Sequence, residues 1–359
     1  MIKNVLRFII LIALVIVSMN VYERIEWNQV LPEVERIITE EDFVLDETAE
    51  EKATETVVEE KNLPPLTGVE KWIGESSDAI TSNLGKPDRI DPSAYGYDWW
   101  IYEESNTGYL QVGIEEGRVV TIFFMGNVVA GENYPMGEQA STVFSDTSPE
   151  GEVALSINGD DYRFQLSEEE KQLKPLMAIN NGLFAQYYFD KFNGKLRAVR
   201  LAEPHVLVKQ KPYAVSYRGE LIEAEPLSDE EWKSVQAAME KQIFGMTNVL
   251  RQLSNKEVLV YNDEVSEVAI GHSKDMQQNN YFSHTSPSKG ELSDRLKKGD
   301  VLYSYAGENI AARYPDAGAA MLGWLNSKGH REALLNEEFT DIGVGVYREY
   351  YTQNFIKPF

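Results

Sequence analysis

The apolar run from Phe8 to Met19, preceded by Lys3 and Arg7, constrains everything that follows it. A short positive flank followed by such a run is the pattern of an export signal. Val5, Leu6, Val21 and Tyr22 lengthen it toward the ~20 residues that a membrane span needs. Ser18-Met19-Asn20 makes a poor cleavage site, so residues 1–22 are expected to stay as a hydrophobic anchor helix, with a cleaved signal peptide as the alternative. Lys3 and Arg7 place the N-terminus inside and all later residues outside. Those later residues contain no cysteine. The fold must therefore hold without disulfides, and thiolate metal sites, iron–sulfur clusters and cysteine nucleophiles are excluded.

Composition adds two limits. Aspartate and glutamate number 58 against 34 lysines and arginines, a net charge of −24. DNA, RNA and anionic lipid all attract positive surfaces, so this balance argues against nucleic-acid partners, and contact with a membrane is expected through the N-terminal helix alone. Residues 33–60 carry twelve acids and two bases, Arg36 and Lys52, and so hold ten of the excess negative charges. Such a stretch cannot bury enough apolar surface to order itself. Residues 23–63 are expected to form an acidic, disordered stalk that Pro64-Pro65 closes. The 359 residues exceed the ~250–300 at which one core stops growing, so at least two domains are expected.

From Leu66 the chain becomes globular in composition. Ile73-Gly74-Glu75-Ser76 opens a helical stretch that Leu84-Gly85-Lys86-Pro87 stops. Aromatic residues Tyr95–Tyr102 follow, and then apolar runs at Tyr109–Ile114 and Val119–Phe124 flank the turn Glu115-Glu116-Gly117-Arg118, a hairpin signature. A second copy is visible. Met136-Gly137-Glu138-Gln139 echoes Ile73-Gly74-Glu75-Ser76 at an offset of 63 residues, and the hairpin around Asn193-Gly194-Lys195 echoes the first at 77. Residues 64–205 therefore read as a duplicated, β-rich αβ module. Its tryptophans and tyrosines are expected to be core. His205, after Pro204, is expected on the surface or in a linker spanning 206–227.

Residues 228–359 form the next unit. Ser228-Asp229-Glu230-Glu231 is a capping box. Trp232, Val235, Met239, Ile243, Met246, Leu250 and Leu253 then recur every three or four residues, which predicts one long helix with a single apolar face. Asn262 caps a second helix carrying Val265, Val268, Ala269, His272 and Met276. Pro315-Asp316 starts a third, expected to stop at Lys328-Gly329. Ile342–Val346 and Tyr350–Phe355 read as closing strands. The fold class expected is α+β, ending in an α/β/α sandwich.

Six ordered strings carry a family likeness: Ala269–Met276, Tyr281-Phe282-Ser283-His284-Thr285-Ser286-Pro287, Gly307-Glu308-Asn309-Ile310-Ala311, Trp324–Arg331, Phe339–Val346 and Tyr351–Phe355. Together they resemble the CAP superfamily (cysteine-rich secretory proteins, antigen 5 and pathogenesis-related 1) in its bacterial, SCP-like form. The region before them resembles the CAP-associated N-terminal domain of membrane-associated Gram-positive, Bacillus-type proteins. The likeness implies that two histidines and two glutamates face one cleft. His284, Glu308 and His330 match three of these. The fourth position falls in Trp324-Leu325-Asn326-Ser327, where no glutamate stands, and nearby Glu332 has no spacing argument behind it. The likeness also implies that the trio can hold a divalent ion such as Zn²⁺. No other cofactor is implied. Asn309 is expected to fix its loop through backbone bonds, and His272, on the apolar stripe of its helix, to be a hydrogen-bonded core residue. If the trio meets, Glu308 is expected to raise the imidazole pKa values.

Two functions follow from this. One is an extracytoplasmic binding or scaffold protein of the cell envelope, anchored or secreted, whose cleft takes a peptide, a lipid or a wall component. The other is a metal-assisted, peptidase-like hydrolase. The absent carboxylate, and the lack of a serine elbow or a His-Glu-x-x-His string, favour the non-enzymatic reading.

Overall fold

In the computed structural model, described for residues 68–359 apart from 105–106, 127, 129–133, 146 and 180–181, two copies of one hairpin meet edge to edge. The N-terminal part runs α1 (Ser77–Leu84), β1 (Arg89–Pro92), β2 (Asp98–Glu104), β3 (Gly108–Glu115), β4 (Arg118–Gly126), α2 (Ala140–Val143), β5 (Glu152–Ile157), β6 (Asp160–Gln165), α3 (Glu168–Leu173), β7 (Leu176–Ile179), β8 (Leu183–Phe189), β9 (Leu196–Ala202), α4 (Pro204–Gln210) and β10 (Ala214–Arg218). Seven strands make one antiparallel sheet in the order β1-β2-β3-β4-β9-β8-β7, with β4 paired to β9 at its centre. The duplication is written in backbone hydrogen bonds. Gly74 N donates to Val119 O, Val119 N to Glu75 O and Ser77 N to Gly117 O. Gly137 N to Leu196 O, Leu196 N to Glu138 O and Ala140 N to Gly194 O repeat all three at the offsets of 63 and 77. The second copy's extra residues form the β5–β6 hairpin, to which β10 adds a third strand.

That pairing corrects the expected linker at 206–227. Glu203 and Pro204 start α4, which buries Val206, Leu207 and Val208. Only residues 211–213 and 219–227 lack regular structure there. His205 is half-buried, its Nε2 2.7 Å from Glu115 Oε2, so it is neither free surface nor linker.

The C-terminal part runs α5 (Asp229–Leu253), β11 (Val260–Tyr261), α6 (Asp263–Gln278), α7 (Leu292–Lys298), β12 (Tyr305–Ala312), α8 (Ala317–Leu325), α9 (Lys328–Leu334), β13 (Asp341–Tyr347) and β14 (Tyr350–Lys357). Its sheet, β11-β13-β14-β12, lies between α6 on one face and α5 with α8 on the other. The string Ile342-Gly343-Val344-Gly345-Val346 fits this geometry, since alternate residues of a strand face opposite sides. Ile342, Val344 and Val346 enter the core beneath α5. Gly343 and Gly345 face α6 at contact distance: a Cβ on Gly345 would lie 2.0 Å from Ile270 N, and one on Gly343 2.2 Å from Val265 C. Any side chain at either position would push the helix off the sheet. Lys328-Gly329 does not end a helix as expected. Ser327 stands at the N-cap of α9, and His330 lies in that helix's first turn.

The long helix α5 departs most from expectation. From Val235 to Arg251 it buries residues on every side, polar ones included. One flank packs on β13, and the opposite flank packs on β1, β3 and β4 of the N-terminal sheet. One continuous core therefore runs from Trp99 and Phe123 through Met239 and Met246 to Val344 and Phe355, and residues 68–359 belong to one compact unit. Buried ion pairs cross the seam. Arg200 Nη2 lies 2.5 Å from Asp316 Oδ2, and Arg331 makes a forked pair with Asp190 at 3.1 and 3.0 Å. Asp316 also caps α8 through Ala319 N. Asp316→Asn preserves that cap but leaves the Arg200 guanidinium uncompensated, and breaking a buried pair costs about 3–5 kcal/mol. Urea unfolding should show a loss of that size. A loss below about 1 kcal/mol, the worth of an exposed pair, would refute the role given to this contact.

Candidate functional site

Loop residues 279–291, between α6 and α7, carry His284. They are tied from beneath by Asp275, on the last turn of α6. Its Oδ2 accepts from Tyr281 OH at 2.5 Å and Ser286 Oγ at 2.6 Å, and its Oδ1 accepts from Asn279 Nδ2 and Lys289 Nζ at 3.1 Å each. Burial works to raise the Asp275 pKa, but these donors outweigh it and hold the carboxyl at about 2. Tyr281 and Ser286 of the Tyr-Phe-Ser-His-Thr-Ser-Pro string therefore point inward, while His284 between them is more than half exposed.

Glu308 lies on β12, directly opposite Asn354 of β14, with its side chain almost fully buried. His284 Nδ1 is 2.9 Å from its Oε1, and Arg295 Nη2 donates to its Oε2 at 2.5 Å. Arg295, itself buried, also donates from Nη1 to His284 O at 2.7 Å and to Gly290 O at 3.1 Å. One guanidinium thus fixes both the carboxylate and the loop that presents the imidazole. Charge-assisted bonds of this kind are about twice as strong as neutral ones.

His330 comes close enough for the His284 charge to act on it. Burial first, and that like charge second, push its pKa below the usual histidine value. The expected rise is therefore reversed at His330: burial and repulsion win there. Asn309 Nδ2 donates to His330 O at 3.0 Å and to Gln353 Oε1 at 3.2 Å. Asn309 lies within β12, so it ties a strand to α9 instead of fixing a loop. His272 is fully buried, its Nε2 3.1 Å from Ser283 O and 3.9 Å from Glu308 Oε1, while its Nδ1 has no hydrogen-bond partner. Burial lowers its pKa, against a smaller upward pull from Glu308.

Among the described residues no group of three or more His, Asp or Glu side chains is placed to hold a metal ion. The reason is local: a cation at Glu308 would meet the Arg295 guanidinium on the same carboxylate. No second carboxylate comes to the rescue. Glu332 is exposed on α9, and Asn326, in the string where the fourth ligand was sought, accepts from Lys191 N at 2.8 Å and donates to Phe189 O at 2.9 Å. Arg295 is the residue that motif reading missed. It stands three residues after Leu292 and beside Leu296, on the apolar side of α7, and a cation on an apolar stripe needs a buried partner.

Asp275→Asn should loosen the His284 loop. A carboxylate held below its unfolded pKa stabilises the fold above pH ~4, and that contribution fades as pH falls through the folded value of about 2. The variant should therefore melt below the parent at pH 7, with a gap that narrows on acidification. A gap independent of pH would show that the charge of Asp275 is not what ties the loop.

Comparison with known proteins places both halves. Residues 73–213 match the CAP-associated N-terminal family and residues 244–357 the cysteine-rich secretory protein family. The chain is 47% identical over 293 residues to the Bacillus subtilis (strain 168) protein named "Uncharacterized membrane protein YlbC", covering 82% of this chain and 84% of that one. It is 42% identical to an extracellular protein containing a SCP domain from Bacillus anthracis str. Ames, whose crystal structure aligns over 82% of this chain and 96% of that one with a TM-score of 0.78. A cysteine-rich secretory protein from Staphylococcus aureus subsp. aureus Mu50 shares the fold at 24% identity, with a TM-score of 0.72 over 82% of this chain and 94% of that one.

Proposed function

Because this chain belongs to the CAP family, with a CAP-associated N-terminal domain ahead of the CAP domain, we propose that it is a binding module of the cell envelope, and that the cleft of His284, Glu308 and His330 takes up a peptide, lipid or wall component outside the membrane. The carrying observation is the engagement of Glu308. Both its oxygens are held, one by His284 and one by Arg295. A carboxylate so paired is a poor general base and a poor metal ligand. It serves instead to fix His284 with Nδ1 bonded inward and the rest of the ring exposed. His330, its pKa pushed down by burial and by the His284 charge, offers a second imidazole. Two neighbouring imidazoles beside a buried ion pair suit hydrogen-bonded recognition.

The extracytoplasmic placement rests on the relatives, one named a membrane protein and one described as extracellular, and on the charged and apolar pattern of residues 1–22. That anchor and the acidic stretch at 23–63 lie outside the described residues. Among the described residues no helix is long and apolar enough to cross a membrane.

Two measurements test the proposal. The purified chain, dialysed after exposure to Zn²⁺, should retain less than one equivalent by elemental analysis. One ion per chain, lost on His284→Ala, would favour the metal-assisted hydrolase. Protease added to intact protoplasts should digest the chain, and full protection would overturn the outside placement.

A further inference from the structure

A cavity of about 420 Å³ opens where the two halves of the chain meet, walled on one side by α3 and β8 and on the other by α8 and the segment before it. Its size falls in the ~300–1,000 Å³ range of small-ligand sites, which favour domain interfaces. Its chemistry is specific. Leu173, Tyr188, Tyr314, Ala319 and Leu322 supply an apolar and aromatic surface. Gly323 lets the Tyr314 hydroxyl lie against α8, where a Cβ would come within 2.2 Å of it.

The charged groups around the cavity are already matched. Glu170 pairs with Lys174 at 3.0 Å, and Glu169 with Lys191 at 2.7 Å. A phosphate, a carboxylate or an amine would find no uncompensated partner and would be desolvated at a loss. Beside the Tyr314 hydroxyl, Gln186 and Tyr188 on the cavity wall belong to a one-way relay. Tyr188 OH donates to Gln186 Oε1 at 2.5 Å, Gln186 Nε2 donates to Tyr213 OH at 2.7 Å, and Tyr213 OH donates to Lys174 O. Tyr188 keeps oxygen lone pairs, and Gln186 keeps one amide proton that this relay does not use. An acceptor beside a donor matches one backbone amide of a bound chain. Sugar recognition would call for more hydrogen-bonding groups than these.

We propose that this cavity is a second binding site, separate from the His284 cleft, for an uncharged, extended peptide segment carrying an apolar side chain. Its amide bonds to Gln186 and Tyr188, and its side chain packs between Leu173 and Leu322. A proline beside that side chain helps, because a pre-extended backbone loses less entropy on docking and tyrosine faces suit the ring.

The test is fluorescence anisotropy with the full chain in detergent and a fluorescein-capped, C-amidated Gly-Ala-Leu-Pro-Ala peptide. Saturable binding is expected, weakened at least tenfold when leucine is replaced by lysine or glutamate in the peptide. Ala319→Phe fills the cavity and Leu173→Ala removes one wall; each should weaken binding at least tenfold at an unchanged melting temperature. If one variant melts early, the other decides. Absence of saturable binding, equal binding by the charged peptides, equal binding by the folded variants, or displacement by chitotriose as effectively as by unlabelled peptide would each overturn the proposal.

Discussion

Helix α5 is buried against two sheets at once, and the rest of the molecule follows from that. A helix buried over most of its surface must satisfy the polar groups it buries. Gln242 Nε2 donates to Asp91 Oδ2 at 3.0 Å, toward the N-terminal sheet. Thr247 Oγ1 accepts from Gln353 Nε2 at 2.9 Å, toward the C-terminal one. Arg251 donates from Nη1 to the carbonyls of Leu334 and Asn336, fixing the exit from α9. Glu240 accepts from Val346 N at 3.0 Å, and burial pushes its pKa up to about 7. These contacts set the helix in one rotation and one register, and the buried pairs Arg200–Asp316 and Asp190–Arg331 close the seam around it.

The cleft borrows its rigidity from the same habit of pairing buried charge. Arg295 and Glu308 are each only 3% exposed, so neither could stand alone. Together they hold the floor of the cleft, and Asp275 does the same for the loop above it. What reaches solvent is the His284 ring. The chemistry at the surface is thus mild, while the strong electrostatics are spent below it on position.

Much of this was legible in the sequence where local pattern and tertiary role coincide. The two Gly-Glu openings and the two hairpin turns are tied by identical backbone bonds, so their spacing already carried the duplication. The run Ile342–Val346 already read as a closing strand, and the structure places it there. The far face of α5 was not legible. Gln242, Asn248 and Arg251 look like a solvated face; Asp91 of the N-terminal sheet makes Gln242 interior, and backbone groups of Leu259, Leu334 and Asn336 do so for Asn248 and Arg251. Arg295 was hidden for the same reason, since its partner Glu308 belongs to another element. The helical turn at Pro204 was lost among lysines and prolines, although three consecutive apolar residues, Val206-Leu207-Val208, carry the burial.

The absent fourth ligand has a structural meaning. Within Trp324-Leu325-Asn326-Ser327, where the family likeness implies a second carboxylate, Asn326 faces the N-terminal half of the chain. Asn326 grips the backbone at Phe189 and Lys191, and Arg331 forks onto Asp190, all in the second copy of the N-terminal hairpin. Asp190 in turn caps its own turn through Phe192 N and Gly194 N. His330, adjacent to Arg331 in the same helical turn, lies near enough to His284 to feel its charge. One short helix is therefore both a wall of the cleft and a face of the seam between the two halves. Because the helix that carries His330 also carries Arg331, which is locked onto Asp190, the placement of that imidazole is tied to the N-terminal half of the chain.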